Sequence, residues 1–267
     1  TQSSKVLILD PTYGEYSHVL EKVVRCRVDR VRLKCENEFA LDLNDFEQAL
    51  KKKYDLIVLV NPNSPTGKYL SKENIIKMLS QISLTTRVWV DETYMEYVGF
   101  DQSLEQIAAS SENIIVCKSM SKVYALSGAR VAYLCGGRHQ MEPLRTITPP
   151  WVIGMPAQLA GIYALKDPGY YEARYRETHV LKEAFSSELS GIGLEVFSGA
   201  ANFLLCKLPE AGKCAKDVVE ACVLEGVYIR NVSSMGASIG ESYLRIAVKN
   251  RLDNERIINT LKTAINS

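Results

Sequence analysis

Between residues 6 and 135 the chain repeats one pattern: a short β-branched apolar run, then a longer stretch with apolar residues on one helical face. The runs occupy 6–10, 27–33, 55–61, 87–92, 113–118 and 129–135. Helical periodicity falls at 15–23, 43–52 and 72–82, with Leu43, Phe46, Ala49 and Leu50 on one face of the second and Ser71 placed to cap the third. The run 55–61 (D-L-I-V-L-V-N) is apolar almost without interruption, which suits a strand buried on both faces. Strands alternating with helices in this way predict an α/β fold, a mostly parallel sheet with helices on both faces.

The second half has a different texture. Helices are expected at 155–165 and 170–189, then strands at 194–198, 202–208, 227–232 and 243–248, with helices at 215–225 and 252–265. This reads as a smaller α+β C-terminal domain. The change falls between Arg145 and Asp167, where Pro149, Pro150, Pro156 and Pro168 punctuate the chain, so the expected division is 1–155 and 156–267.

Composition narrows the function. Lysine and arginine (32) nearly balance aspartate and glutamate (31), a net charge of +1, so no nucleic-acid partner or anionic membrane surface is expected. No apolar run approaches the roughly 18–20 residues of a spanning helix, and no secretory signal opens the sequence. The seven cysteines are odd in number, scattered, and never spaced C-x-x-C, as expected of reduced thiols in a cytoplasmic protein. Three distant histidines make a histidine metal site improbable, and no metal is expected.

In an open parallel sheet, ligands bind beyond the carboxyl ends of the strands. There the sequence offers Pro11-Thr12-Tyr13-Gly14, then Asn61-Pro62-Asn63-Ser64-Pro65-Thr66-Gly67, then Asp91 and Tyr94, then Ser119-Met120-Ser121-Lys122, with Arg130 eight residues on. An aromatic ring, a carboxylate, an amine, hydroxyls and a guanidinium are thereby predicted to converge on one sheet edge. Each alone has a plain structural explanation; the ordered set is far more specific.

The series P-T-Y-G, N-P-N-S-P-T-G, D-E-T-Y, S-M-S-K and G-A-R resembles the fold-type I pyridoxal-phosphate enzymes of aminotransferase class I/II, within them the branch of histidinol-phosphate aminotransferases and threonine-phosphate decarboxylases. The resemblance runs over essentially the whole chain. It implies pyridoxal 5'-phosphate as cofactor, with Lys122 forming the Schiff base, Asp91 pairing with the pyridine nitrogen, Tyr13 stacking on the ring and Tyr94 bonding the ring hydroxyl. It also implies Ser119, Ser121 and Arg130 on the phosphate, and Arg230, Arg245 and Asn202 towards the substrate. A neutral amine is needed at Lys122 for attack on carbon, and neighbouring positive charge and desolvation favour it.

Two departures stand out. The family has asparagine immediately before Pro-Thr-Gly; here Ser64 occupies that place, and either Asn63 or Ser64 is expected to take its contact with the cofactor. The family also carries an N-terminal portion ahead of P-T-Y-G that supplies a helix N-terminus for the phosphate and a tyrosine across a dimer interface. The 267-residue chain is therefore expected to be an N-terminally shortened form, poor in cofactor, inactive, and exposing an apolar surface where that portion docks.

The leading functional reading is an aminotransferase acting between an amino acid or amino-alcohol phosphate and a 2-oxo acid, a homodimer at full length. A threonine-phosphate-type decarboxylase uses the same cofactor and breaks a different bond. A truncated, non-catalytic fragment that keeps the fold is the alternative of another class. A nicotinamide enzyme is disfavoured, since no G-x-G-x-x-G follows a strand.

Overall fold

A computed structural model describes residues 3–210 and 212–266. Six strands form the larger sheet: β1 (Lys5–Asp10), β2 (Arg27–Arg32), β3 (Leu56–Val60), β4 (Arg87–Asp91), β5 (Ile114–Ser119) and β6 (Ala132–Cys135), in the order β2-β1-β3-β4-β5-β6. The first five are parallel and β6 runs antiparallel to β5. Strand order turns back at β1, which lies between β2 and β3, so a crevice opens beyond the ends of β1 and β3.

The unbroken apolar runs are explained by burial on both faces. Leu7, Leu9, Ile57, Leu59, Val88 and Val90 enter the main core beneath Phe39, Phe46, Ile75 and Met78. Their alternate neighbours Val6, Ile8 and Val58 pack on the opposite face against Leu20. The helices Leu43–Leu50 and Lys72–Leu79 cover the first face, each begun by a side-chain cap: Asp42 Oδ1 accepts the Asn44 N–H at 2.8 Å, and Ser71 Oγ accepts the Asn74 N–H at 3.3 Å.

A second, antiparallel sheet contains β7 (Glu195–Phe197), β8 (Phe203–Lys207), β9 (Arg230–Asn231) and β10 (Tyr243–Ala247), ordered β7-β8-β10-β9. The helices Pro168–Gly191, Ala215–Leu224 and Arg251–Asn266 close its core through Phe185, Leu189, Val218, Cys222, Leu261 and Ala264. The two sheets touch through backbone. Gly67, at φ +69°, lies against Gly199, and a Cβ on Gly199 would collide with the Gly67 backbone. The Ala200 N–H donates to the Gly67 carbonyl at 2.7 Å, fixing the β3 loop to the small sheet.

Four expectations need correction. The run 129–135 becomes a strand only from Ala132, because Arg130 adopts φ +54° and the preceding residues turn. The segment 227–232 pairs only at Arg230–Asn231, because the Val227 N–H closes back on the Cys222 carbonyl at 2.9 Å before the chain joins the ladder. The helix at 15–23 is α-helical over Gly14–His18 and π-helical over Val19–Val23, the Val24 N–H reaching the Val19 carbonyl. Helices at Glu105–Ser110 and Arg138–Ile147 were not expected; Pro143 inside the latter reads as a breaker.

All seven cysteines are free thiols. Among the described residues no helix is long and apolar enough to cross a membrane. Trp151, 93% exposed, lines with exposed Val152, Ile162 and Leu165 a cleft beside Ala132 and Tyr133 of β6.

Candidate active site

The first strand delivers Tyr13 just beyond its carboxyl end, and β3 delivers Ser64. From β4 come Asp91, Thr93 and Tyr94; from β5 come Cys117, Ser119, Ser121 and Lys122, with Arg130 after the turn. The small sheet adds Arg230 from β9 and Arg245 from β10. These side chains, with Glu15 and Met235, line one cavity of about 470 Å³. A larger cleft of about 780 Å³ lies beside β2, but there Arg30 pairs with Glu21 and Lys52 with Asp29, so its charges cancel.

Asp91 is 7% exposed and firmly held. Its Oδ1 accepts the Thr93 N–H at 2.9 Å and the Thr93 hydroxyl at 2.5 Å, and its Oδ2 accepts the Tyr16 hydroxyl at 2.8 Å. Across the β4–β5 register Asp91 faces Cys117, whose thiol is pushed up to about 12 by burial and by the Asp91 charge. That group is a packed thiol at neutral pH. Tyr94 stands edge-on to Phe203, ring centroids 5.2 Å apart, and burial raises its pKa, so it is a neutral hydroxyl.

Positive charge here lacks balance. Lys122 and Arg230 pair with no carboxylate among the described residues. Among the described residues Arg130 donates only to the Ser127 carbonyl, at 3.0 Å. Arg245 donates to the Ser64 hydroxyl at 2.6 Å and lies over the Phe203 ring, 5.0 Å from its centroid. Burial lowers the Arg245 pKa, and neighbouring Arg230, its register partner, pushes the same way. Four cationic side chains thus line a cavity with two carboxylates, Asp91 and Glu15. Such a site suits a ligand with more than one anionic group.

Two expected residues lie outside the cavity lining. Asn63 is buried and occupied: its Nδ2 donates to the Pro11 carbonyl and Thr66 Oγ1, and its Oδ1 accepts the Thr12 hydroxyl, each at 3.0 Å. It pins the β1 and β3 loops together. Asn202 stands by the Tyr97 hydroxyl, where it lowers that group's pKa against the larger effect of burial. Conversely, Tyr16 and Glu15 belong to the site's surroundings and were not singled out; the only signal was their place in the helix opened by Pro-Thr-Tyr-Gly.

The donor set fits pyridoxal phosphate. It supplies an amine without an ion-pair partner, a carboxylate with acceptor capacity left, and hydroxyls with a guanidinium at the start of the short helix Met120–Val123.

Comparison with known proteins bears on the family and the fold. Residues 1–261 match the family model "Aminotransferase class I and II". The histidinol-phosphate aminotransferase of Anaeromyxobacter sp. (strain Fw109-5) is 32% identical over 230 residues, covering 85% of this chain and 61% of that protein. The chain thus spans about three-fifths of that relative's length. The crystal structure of the histidinol-phosphate aminotransferase from Clostridium acetobutylicum superposes with a TM-score of 0.88 at 26% identity, covering 99% of this chain and 78% of that one. A decarboxylase from Sulfurospirillum multivorans gives 0.88 at 25% identity, covering 98% and 76%.

Proposed function

Because this chain belongs to the class I and II aminotransferase family, we propose that it is built to work as a pyridoxal-phosphate-dependent aminotransferase, moving an amino group between an amino acid or amino-alcohol phosphate and a 2-oxo acid. The observation that carries this reading is the meeting of Lys122, Asp91, Tyr94, Arg130, Arg230 and Arg245 in one cavity with surplus positive charge. Bound pyridoxal phosphate supplies an electron-withdrawing ring that stabilises the negative charge developing on the substrate carbon beside its nitrogen.

The protein's own groups divide the remaining work. Lys122, which lines the same cavity as Arg130 and Arg245, would hold the cofactor through its amine and would move the proton at the reacting carbon. Asp91, buried at the end of β4, would face the ring nitrogen and hold a proton there. Tyr94 would donate its hydroxyl to the ring oxygen, and Tyr13, 41% exposed on the cavity wall, would cover the ring face. Ser119, Ser121 and Arg130 hold the phosphate; a guanidinium presents a planar fork of donors to such an oxyanion. Arg230 and Arg245 take the substrate's acidic groups. Ser64 orients Arg245 through its hydroxyl and occupies the place the family gives to asparagine. Asn63 and Asn202 act at one remove, by bracing the loops that carry these groups.

Homodimerisation and a cytoplasmic setting belong to the same proposal. A phosphothreonine-type decarboxylase is the second reading, supported by the likeness to the Sulfurospirillum decarboxylase. The two differ in which substrate bond stands perpendicular to the ring, and analysis of products for carbon dioxide against 2-oxo acid separates them. The basic test is chemical. Incubation with pyridoxal phosphate, borohydride reduction and peptide mapping is expected to label Lys122. A label on another lysine, or none, overturns the proposal and leaves a non-catalytic chain that keeps the fold.

A further inference from the structure

Tyr16 lies behind the site and touches two of the residues that line it, Asp91 and Tyr13. Its hydroxyl donates to Asp91 Oδ2 at 2.8 Å and accepts the Trp89 indole N–H at 2.9 Å. Its ring stands edge-on to Tyr13, centroids 6.0 Å apart and planes at 78°. Trp89 and Asp91 belong to the same strand, β4, while Tyr13 and Tyr16 belong to the turn and helix after β1. The tyrosine therefore ties the carboxylate on one strand to the aromatic ring beyond another. Burial and the adjacent Asp91 charge raise its pKa, so the hydroxyl remains a proton donor throughout the working pH range.

The bonds around Asp91 can be counted. An ionised carboxylate has about four acceptor positions, two on each oxygen. Thr93 fills both on Oδ1, through its N–H and its hydroxyl. Tyr16 takes one on Oδ2. A single acceptor position remains, also on Oδ2, and Asp91 lines the cavity. With Trp89 fixing the phenol from behind, rotation of the carboxylate would break three bonds at once.

From this count we infer that Tyr16 is a positioning residue: it locks Asp91 so that one lone pair of Oδ2 alone is presented to a protonated ring nitrogen. The inference rests on the reading of the cavity as a pyridoxal-phosphate site. Tyr16 does not touch the ring itself. Its effect passes through the orientation of Asp91, and it matters only for a ligand with a nitrogen at that ring position.

The test uses a cofactor from which that atom has been removed. Dissociation constants are measured for native protein and Tyr16→Phe with pyridoxal phosphate and with 1-deazapyridoxal phosphate, in which a C–H replaces the ring nitrogen. The expected result is a weakening of about tenfold by Tyr16→Phe for pyridoxal phosphate and less than about twofold for the deaza form. Equal weakening with both, or none with either, overturns the positioning role while leaving the proposed function standing. Failure of the native protein to bind pyridoxal phosphate overturns the proposed function and this inference with it. A cofactor-free measurement checks the bond itself. Tyr16→Phe is expected to lower Tm more in the native background than in Asp91→Ala, because only the former loses the bond to the carboxylate. Equal falls in the two backgrounds would show that Tyr16 and Asp91 are uncoupled and would overturn the assignment.

Discussion

Lys118 and Lys122 lie four residues apart on one segment and live in opposite electrostatic worlds. Lys118 is 2% exposed, on the side of β5 away from Cys117, with Glu92 Oε2 and Glu96 Oε1 each at 3.1 Å and Glu105 at 3.9 Å. Glu92 is fully engaged, accepting the Leu104 N–H at 2.8 Å and the Ser103 hydroxyl at 2.6 Å besides the ammonium. Lys122 faces the cavity and has no carboxylate partner among the described residues. The contrast separates structure from function. A buried cation surrounded by carboxylates holds a fold together, whereas unpartnered cations gathered around a cavity are groups waiting for an anionic ligand.

The buried cluster has its own asymmetry. Glu96 Oε2 is buried with no hydrogen-bond partner among the described residues. Burial raises the Glu96 pKa despite the opposing pull of Lys118, and the facing carboxylates raise that of Lys118 despite its burial. Glu92 is thus bonded through both oxygens, whereas Glu96 has one oxygen unpartnered among the described residues and a raised pKa.

The largest effect expected from this comparison follows removal of the central cation. Lys118→Met leaves Glu92 and Glu96 facing each other inside the protein, and should cost about 3–5 kcal/mol of stability in denaturant unfolding. A loss under about 1 kcal/mol would mean that the cluster is solvated and that the contrast with Lys122 fails.

A smaller effect concerns pH. The folded pKa of Glu96 lies above its unfolded value, so between the two the folded state binds more protons and this residue's contribution to stability rises as pH falls. That gain is complete near the ordinary glutamate pKa and absent well above the raised one. Calorimetry from pH 8 to pH 5 should therefore show the native protein gaining stability relative to Glu96→Gln. A difference independent of pH would place Glu96 in the ionised state throughout. Lys118 contributes no slope in this window, because a raised lysine pKa affects stability only at alkaline pH, where the ammonium is lost.

The smallest expected effect is the most discriminating. Lys122→Ala should change the stability of the cofactor-free protein by no more than about 0.5 kcal/mol, since no ion pair or buried contact is lost. A cost approaching that of Lys118→Met in the same unfolding assay would make Lys122 a structural cation and erase the distinction.

Local pattern determined a good part of this protein. The apolar runs of β1, β3, β4 and β5 announced a sheet buried on both faces, because strand residues alternate between faces and both series were apolar. The order of polar residues after those runs placed Tyr13, Ser64, Asp91, Tyr94, Ser119, Ser121, Lys122 and Arg130 on one edge, since parallel strands deliver all their carboxyl ends to the same side. Other features depended on local backbone conformation or on partners distant in sequence. The antiparallel turn into β6 hinges on the left-handed conformation of Arg130, and the shortening of β9 on a carbonyl five residues earlier. Asn63 reads as a contact residue until Pro11 and Thr12 are seen to occupy its amide. Tyr16 reads as one aromatic in a helix until Trp89 and Asp91, more than seventy residues away, close around its hydroxyl. Periodicity and strand order are properties of neighbouring residues and survive in the sequence. Which hydrogen-bonding group is spent and which is left free is decided by tertiary packing, because each bond is settled by whichever donor or acceptor the fold brings within reach.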